Sequence, residues 1–173
     1  MQSLAIILFC ILSAVIYGIL HDQITARICV EYFTIGHPPI FDTDDPTLLG
    51  IGWGILATWW VGLLLGVPLA VVARAGSRPK RNVRSLVHPI VVLLAISAIA
   101  AFVAGLLGWV LASQGMVVLV EPLTSRLPRE KHIAFLADLR AHLCSYLAGI
   151  VGGFIVIIGV RRSRSRSETE QTS

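Results

Sequence analysis

The chain has 173 residues, of which 55% are hydrophobic and only 14% charged, and its mean hydropathy is +0.80. A soluble domain carries about 25% charged residues, so this little charge cannot cover a water-facing surface and lipid must be the solvent for much of the chain. The net charge of +4 is concentrated in two basic clusters beside apolar runs, where it sets topology; nothing resembles a nucleic-acid reader, and no nucleic acid is expected as a partner.

Residues 2–20 form an apolar run, long enough to cross roughly 30 Å of hydrocarbon. No Lys or Arg precedes the run, and it exceeds the ~7–15 residues of a signal-peptide core, so an uncleaved first span is expected. Helix-compatible residues continue through His21, Asp22 and Arg27 to Glu31, and the Arg27–Glu31 spacing allows an i,i+4 pair. Gly36-His37-Pro38-Pro39 then breaks the helix. Asp45 is placed to cap the next helix, with Pro46 at its first position.

The second span covers about 48–73, and Gly50 and Gly54 form a GxxxG pair that lets another helix approach closely. Arg74, Arg78, Lys80, Arg81 and Arg84 follow with no acid between them. The third span, about 86–112, is rich in small residues. A second connection, 113–135, leads to the last helix, whose most apolar part spans about 140–160. The basic, low-complexity tail 161–173 is expected to be disordered. The three cysteines, Cys10, Cys29 and Cys144, form no CxxC or zinc-finger spacing.

The expected fold class is all-α, a four-helix transmembrane bundle spanning 1–160. The loop after span two and the C-terminal tail are strongly basic, whereas the segment 21–47 holds one Arg against five acids. The positive-inside rule therefore puts both termini in the cytoplasm and the loops 21–47 and 113–135 outside. The expected location is the cell (inner) membrane, with the lipid bilayer as the main partner.

The polar residues concentrate at the outward end. On the last helix Asp138, His142 and Ser145 share one narrow face; on the first, Tyr17, His21 and Thr25 share a face with Asp22 turned about 100° away. If these two helices are neighbours, two His, two acids and a Tyr meet near the membrane boundary. Three readings compete. The first is a hydrogen-bonded clamp that fixes helix register. The second is a divalent-metal site, zinc or iron, held by His21, Asp22, Asp138 and His142, with Glu31 or His37 from the loop as a further ligand or base. The third is a haem with His21 and His142 as axial ligands. No HExxH or Glu-x-x-His signature supports catalysis directly.

The segment HDQITARICVEYFTIGHPP, His21 to Pro39, resembles one in a group of small four-span bacterial inner-membrane proteins to which no activity is assigned. The stretch Ala137–Tyr146 shares the resemblance less distinctly. It implies a bacterial membrane protein and carries over no catalytic residue.

The functional expectation is a multi-pass protein presenting a polar, metal-binding site at its outer face. The alternative is an accessory or scaffolding subunit of a membrane complex, or a homo-oligomer, that uses the small-residue faces of spans two and three as partner seams. No charged residue lies mid-span, which argues against a pore or carrier in a single chain.

Overall fold

The computed structural model describes the backbone of residues 1–172 and the side chains of residues 1–165. The elements are α1 (Gln2–Ile28), α2 (Glu31–Thr34), α3 (Pro46–Arg74), α4 (Val83–Ser113), α5 (Leu123–Arg126), a 3-10 turn (Arg129–Lys131) and α6 (His132–Thr172). No strand occurs among the described residues. Four of the helices are long and apolar enough to cross a membrane, and the fold is that of a multi-pass, all-α membrane protein.

The lipid-facing side can be read along α1. Leu4, Leu8, Leu12, Ile16, Leu20, Ile24 and Ile28 recur at every fourth position, each at least 48% exposed. A continuous apolar stripe of this length has no place in water. The opposite face of the same helix buries Ile6, Cys10, Gly18 and Asp22.

Helix α1 packs mainly against α3, and α4 mainly against α6. The expected GxxxG pair is part of a longer ridge on α3, formed by Gly50, Gly54, Thr58, Gly62 and Gly66 at four-residue spacing. A methyl group added at Gly54 would stand 2.5 Å from Cα of Ile19, and one at Gly62 would stand 2.6 Å from Cα of Ile11. The backbones of α1 and α3 therefore touch along most of their length, as small-residue seams permit. On α4, Gly105 and Gly108 pack against Ala141 and Arg140 of α6. The glycines of both small-residue seams are thus used within the chain, while Ala95 and Ala98 of α4 stay exposed.

Two apolar clusters close the bundle's ends. One gathers Cys29, Tyr32, Phe33, Trp53 and Phe135 beneath α2; the other gathers Ile6, Leu69, Ala73, Leu86 and Val160 at the basic end. Asp45 caps α3 by accepting hydrogen bonds from the Thr47 and Leu48 amides, both at 2.9 Å.

Two local expectations are corrected. Arg27 does not reach Glu31: it donates to Oε1 of Gln23 and Oγ1 of Thr47, tying α1 to the start of α3, while Glu31 pairs with Lys131 at 3.0 Å. Residues 161–165, expected to open a disordered tail, continue α6. The buried Arg164 guanidinium donates to the backbone carbonyls of Val72, Ala75, Arg78 and Pro79. Val72 lies in the last turn of α3 and Ala75 is its C-cap, where a helix leaves carbonyls unsatisfied, while Arg78 and Pro79 belong to the loop that follows, so the chain has a structural reason to keep α6 helical this far. The remaining side chains of that expected tail, 166–173, lie outside the described residues.

Candidate functional site

The site forms where the C-terminal third of α1 meets the N-terminal half of α6, just below the cluster under α2. Its centre is His142, which is buried. Nδ1 of His142 lies 2.8 Å from the backbone carbonyl oxygen of Asp138, one turn earlier. A carbonyl only accepts, so Nδ1 carries the proton. Nε2 then holds a lone pair in the neutral ring, and it lies 3.2 Å from Oδ1 of Asp22 on α1. An ionised carboxylate also only accepts. The contact therefore requires a further positive charge, either a proton shared by the pair or a cation beside both groups.

His21 completes the cluster. Its ring meets that of His142 edge to face, with centroids 4.6 Å apart, and stacks on Tyr17 at 6.0 Å. One donor atom from each of His21, Asp22 and His142 lies within 4.8 Å of the others. Nε2 of His21 is buried with no hydrogen-bond partner among the described residues, and the same holds for Oδ2 of Asp138. Asp138 is only 1% exposed. Neither Asp22 nor Asp138 pairs with a Lys or Arg among the described residues. Buried polar atoms are nearly always satisfied, so this spot stands out: two acids without a Lys or Arg partner, and two polar atoms short of a hydrogen bond.

The surrounding shell is well formed. Tyr17 and Ser145 share a hydrogen bond of 2.8 Å between α1 and α6. Tyr146 donates to the Ala57 carbonyl on α3 at 3.3 Å. From above, Tyr32 of α2 stacks on His142 with centroids 4.3 Å apart, and Phe33 meets it edge-on at 5.8 Å. Helix α2 thus lies over the cluster as an aromatic cover. Tyr32 is held by Nδ1 of His37, 2.8 Å from its carbonyl oxygen, and His37 packs on Trp53 at 4.6 Å.

Helices α1 and α6 meet here, the condition on which the sequence expectation rested, and His21, Asp22 and His142 come together. Although Asp22 is turned about 100° from His21 on α1, His142 sits between positions 21 and 22 and touches both. Asp138 lies one turn from His142, outside the group of three converging ligand atoms, with Oδ2 unpartnered among the described residues. Glu31 and His37 are not part of the cluster. Glu31 faces Lys131 and accepts from the Cys29 thiol at 3.4 Å, and His37 braces the aromatic cover. The haem reading fails on geometry, because two rings meeting edge to face at 4.6 Å leave no slot for a macrocycle between them. All three cysteines are free. The sequence reading missed the contribution of Tyr32 and Phe33; their placement in a four-residue helix carries no periodic signal.

Outside the spans, two groups near the cover are perturbed. Burial pushes the Cys29 thiol up to about 12. Burial alone would raise the Glu31 carboxyl, but hydrogen bonds from its own backbone amide, from Lys131 and from Cys29 outweigh it and hold the group below its ordinary range.

Comparison with known proteins returned no matching family, no matching curated protein and no matching solved structure.

Proposed function

We propose that this protein is a membrane metalloprotein in which His21, His142 and Asp22 hold one divalent cation, zinc or iron(II), at the end of the bundle away from the cytosol. The observation that carries the reading is the convergence of three ligand atoms within 4.8 Å from two helices. Two imidazoles and a carboxylate suit these ions and leave coordination positions open. The bond from Nδ1 of His142 to the Asp138 carbonyl matches the outer-shell contact that fixes the tautomer of a ligating histidine. A dication also balances the two buried carboxylates, Asp22 and Asp138, which no side-chain cation among the described residues neutralises. The unpartnered Oδ2 of Asp138 is then a fourth ligand or a base beside the ion.

The open positions make the ion a Lewis acid toward an oxygen donor. The basic loop 75–82 and the Arg-rich end of α6 support, by the positive-inside rule, a reading with both termini cytoplasmic and the cluster and its aromatic cover facing outward. Elemental analysis of protein purified without chelator tests the reading. About one zinc or iron per chain is expected, with loss in His21→Ala/His142→Ala; metal-free protein after incubation with both ions and dialysis would refute it.

A further inference from the structure

A groove of about 390 Å³ runs between α1 and α4 and reaches the site from the side. Its walls are apolar, with Ile24, Phe102, Leu106 and Trp109 among them, and its polar residues include His21 and Asp138. Phe102 is 72% exposed and Ile24 64%. In a chain that spans a membrane this mouth opens to lipid, because α1 and α4 pack against each other far less than against α3 and α6. The groove thus connects the hydrocarbon phase to His21 and Asp138, whose Nε2 and Oδ2 are two of the three buried side-chain polar atoms without a hydrogen-bond partner among the described residues, the third being Oγ of Ser97.

We infer that this groove admits a hydroxyl-bearing lipid, a molecule with one apolar tail and a neutral alcohol or phenol head, which places its O–H against Asp138 and His21. The inference rests on the reading of the cluster as a functional site and names the class of molecule that site receives. Three observations select the head group. No Lys or Arg lines the groove, so an anionic head would meet Asp138 with no cation beside it. An ammonium would have to carry its charge through hydrocarbon, which is expensive. A hydroxyl both donates and accepts, so it satisfies the Asp138 carboxylate and matches His21 in either tautomer. With a cation on His21, the same oxygen fills an open coordination position while its proton stays directed at Asp138. The tail lies along the apolar wall toward the lipid-exposed mouth, an arrangement usual for ligand clefts.

The test uses the full chain in liposomes with a diazirine-bearing long-chain alcohol, compared with the same diazirine on the corresponding hydrocarbon. Photolysis should label α1 and α4 peptides around Ile24, Phe102 and Trp109, with the hydrocarbon labelling about tenfold less, as expected for one lost hydrogen bond in a buried site. Ala98 is exposed and lines the groove, so Ala98→Trp should block labelling without disturbing the fold or the bound metal. Ala95→Trp, on the same helix but outside the groove, should leave labelling intact. Equal labelling by alcohol and hydrocarbon, or labelling indifferent to Ala98→Trp, would overturn the inference while leaving a measured metal content untouched. Metal-free protein that still labels in the expected pattern would uphold the groove and remove the metal assignment instead.

Discussion

His142 and Asp22, 120 residues apart, meet with Nε2 3.2 Å from Oδ1, in a ring whose other nitrogen is already committed to a backbone carbonyl. Both partners are buried, and each presents a lone pair in its ordinary neutral or ionised form. The pair joins α1 to α6, which otherwise touch sparingly. If a cation or shared proton is what joins them, removing one partner leaves the other buried and uncompensated. Asp22→Ala should then destabilise the fold by about 3–5 kcal/mol, whereas Asp22→Asn, which donates to Nε2, should fold close to normally but lose metal. Thermal unfolding in detergent and metal content, measured together, separate the two effects.

The α3 ridge gives a contrast that depends on packing alone. Gly54→Ala pushes a methyl group into the α1 backbone at Ile19, and overpacking of this kind costs about 1–3 kcal/mol or more. Gly149 of α6 has open space where its Cβ would be, so Gly149→Ala should be neutral or stabilise by up to about 1 kcal/mol through helix propensity. Equal melting temperatures for the two variants would contradict the packing described.

Arg164 ties the end of α6 to the end of α3 through four backbone carbonyls. Arg164→Ala should lower stability by about 1.5–3 kcal/mol at least, the worth of one charged hydrogen bond. Arg164→Lys should recover little, because a single ammonium cannot present the same planar fork. Far-ultraviolet circular dichroism during thermal unfolding reads the difference; a fully functional Lys variant with wild-type stability would show that the fork geometry is irrelevant.

The Glu31–Lys131 pair gives a pH dependence with a definite sign. Because the Glu31 carboxyl is held below its unfolded value, its contribution is fully present above about pH 4.3, the ordinary carboxylate value, and is lost as the pH falls through the lowered native value. Glu31→Gln should flatten that acid limb of the stability curve and leave the neutral region unchanged. The buried Cys29 thiol beside it, pushed up to about 12 by burial, should resist maleimide at neutral pH until the protein is unfolded. Topology is therefore better probed at exposed positions: Asp44→Cys should react from outside intact cells, and Lys80→Cys only after permeabilisation.

The four spans and the helical class were legible in the sequence because lipid demands long apolar runs, and no other solvent explains them. The Asp45 cap was legible because Asp-Pro-Thr at a helix start has one geometric use. The site was only half legible. A helical wheel puts His21 and Asp22 about 100° apart and does not show that a ring wedged between adjacent positions touches both. The Arg27 partner was misread for a related reason. Spacing along one helix cannot anticipate that Gln23 and Thr47 lie nearer than Glu31, which follows Cys29, where α1 ends and the backbone turns extended. Arg164 was read as part of a basic tail because composition alone does not reveal four carbonyls waiting at the end of α3 and in the loop after it.

X-ray absorption at the metal edge of zinc-loaded protein tests the central claim most directly. Zinc bound by His21, His142 and Asp22 should show imidazole nitrogen and carboxylate oxygen scatterers at about 2.0–2.2 Å, and the imidazole signal should halve in His21→Ala. A sulfur shell at about 2.3 Å, or a spectrum unchanged by that substitution, would contradict the assignment.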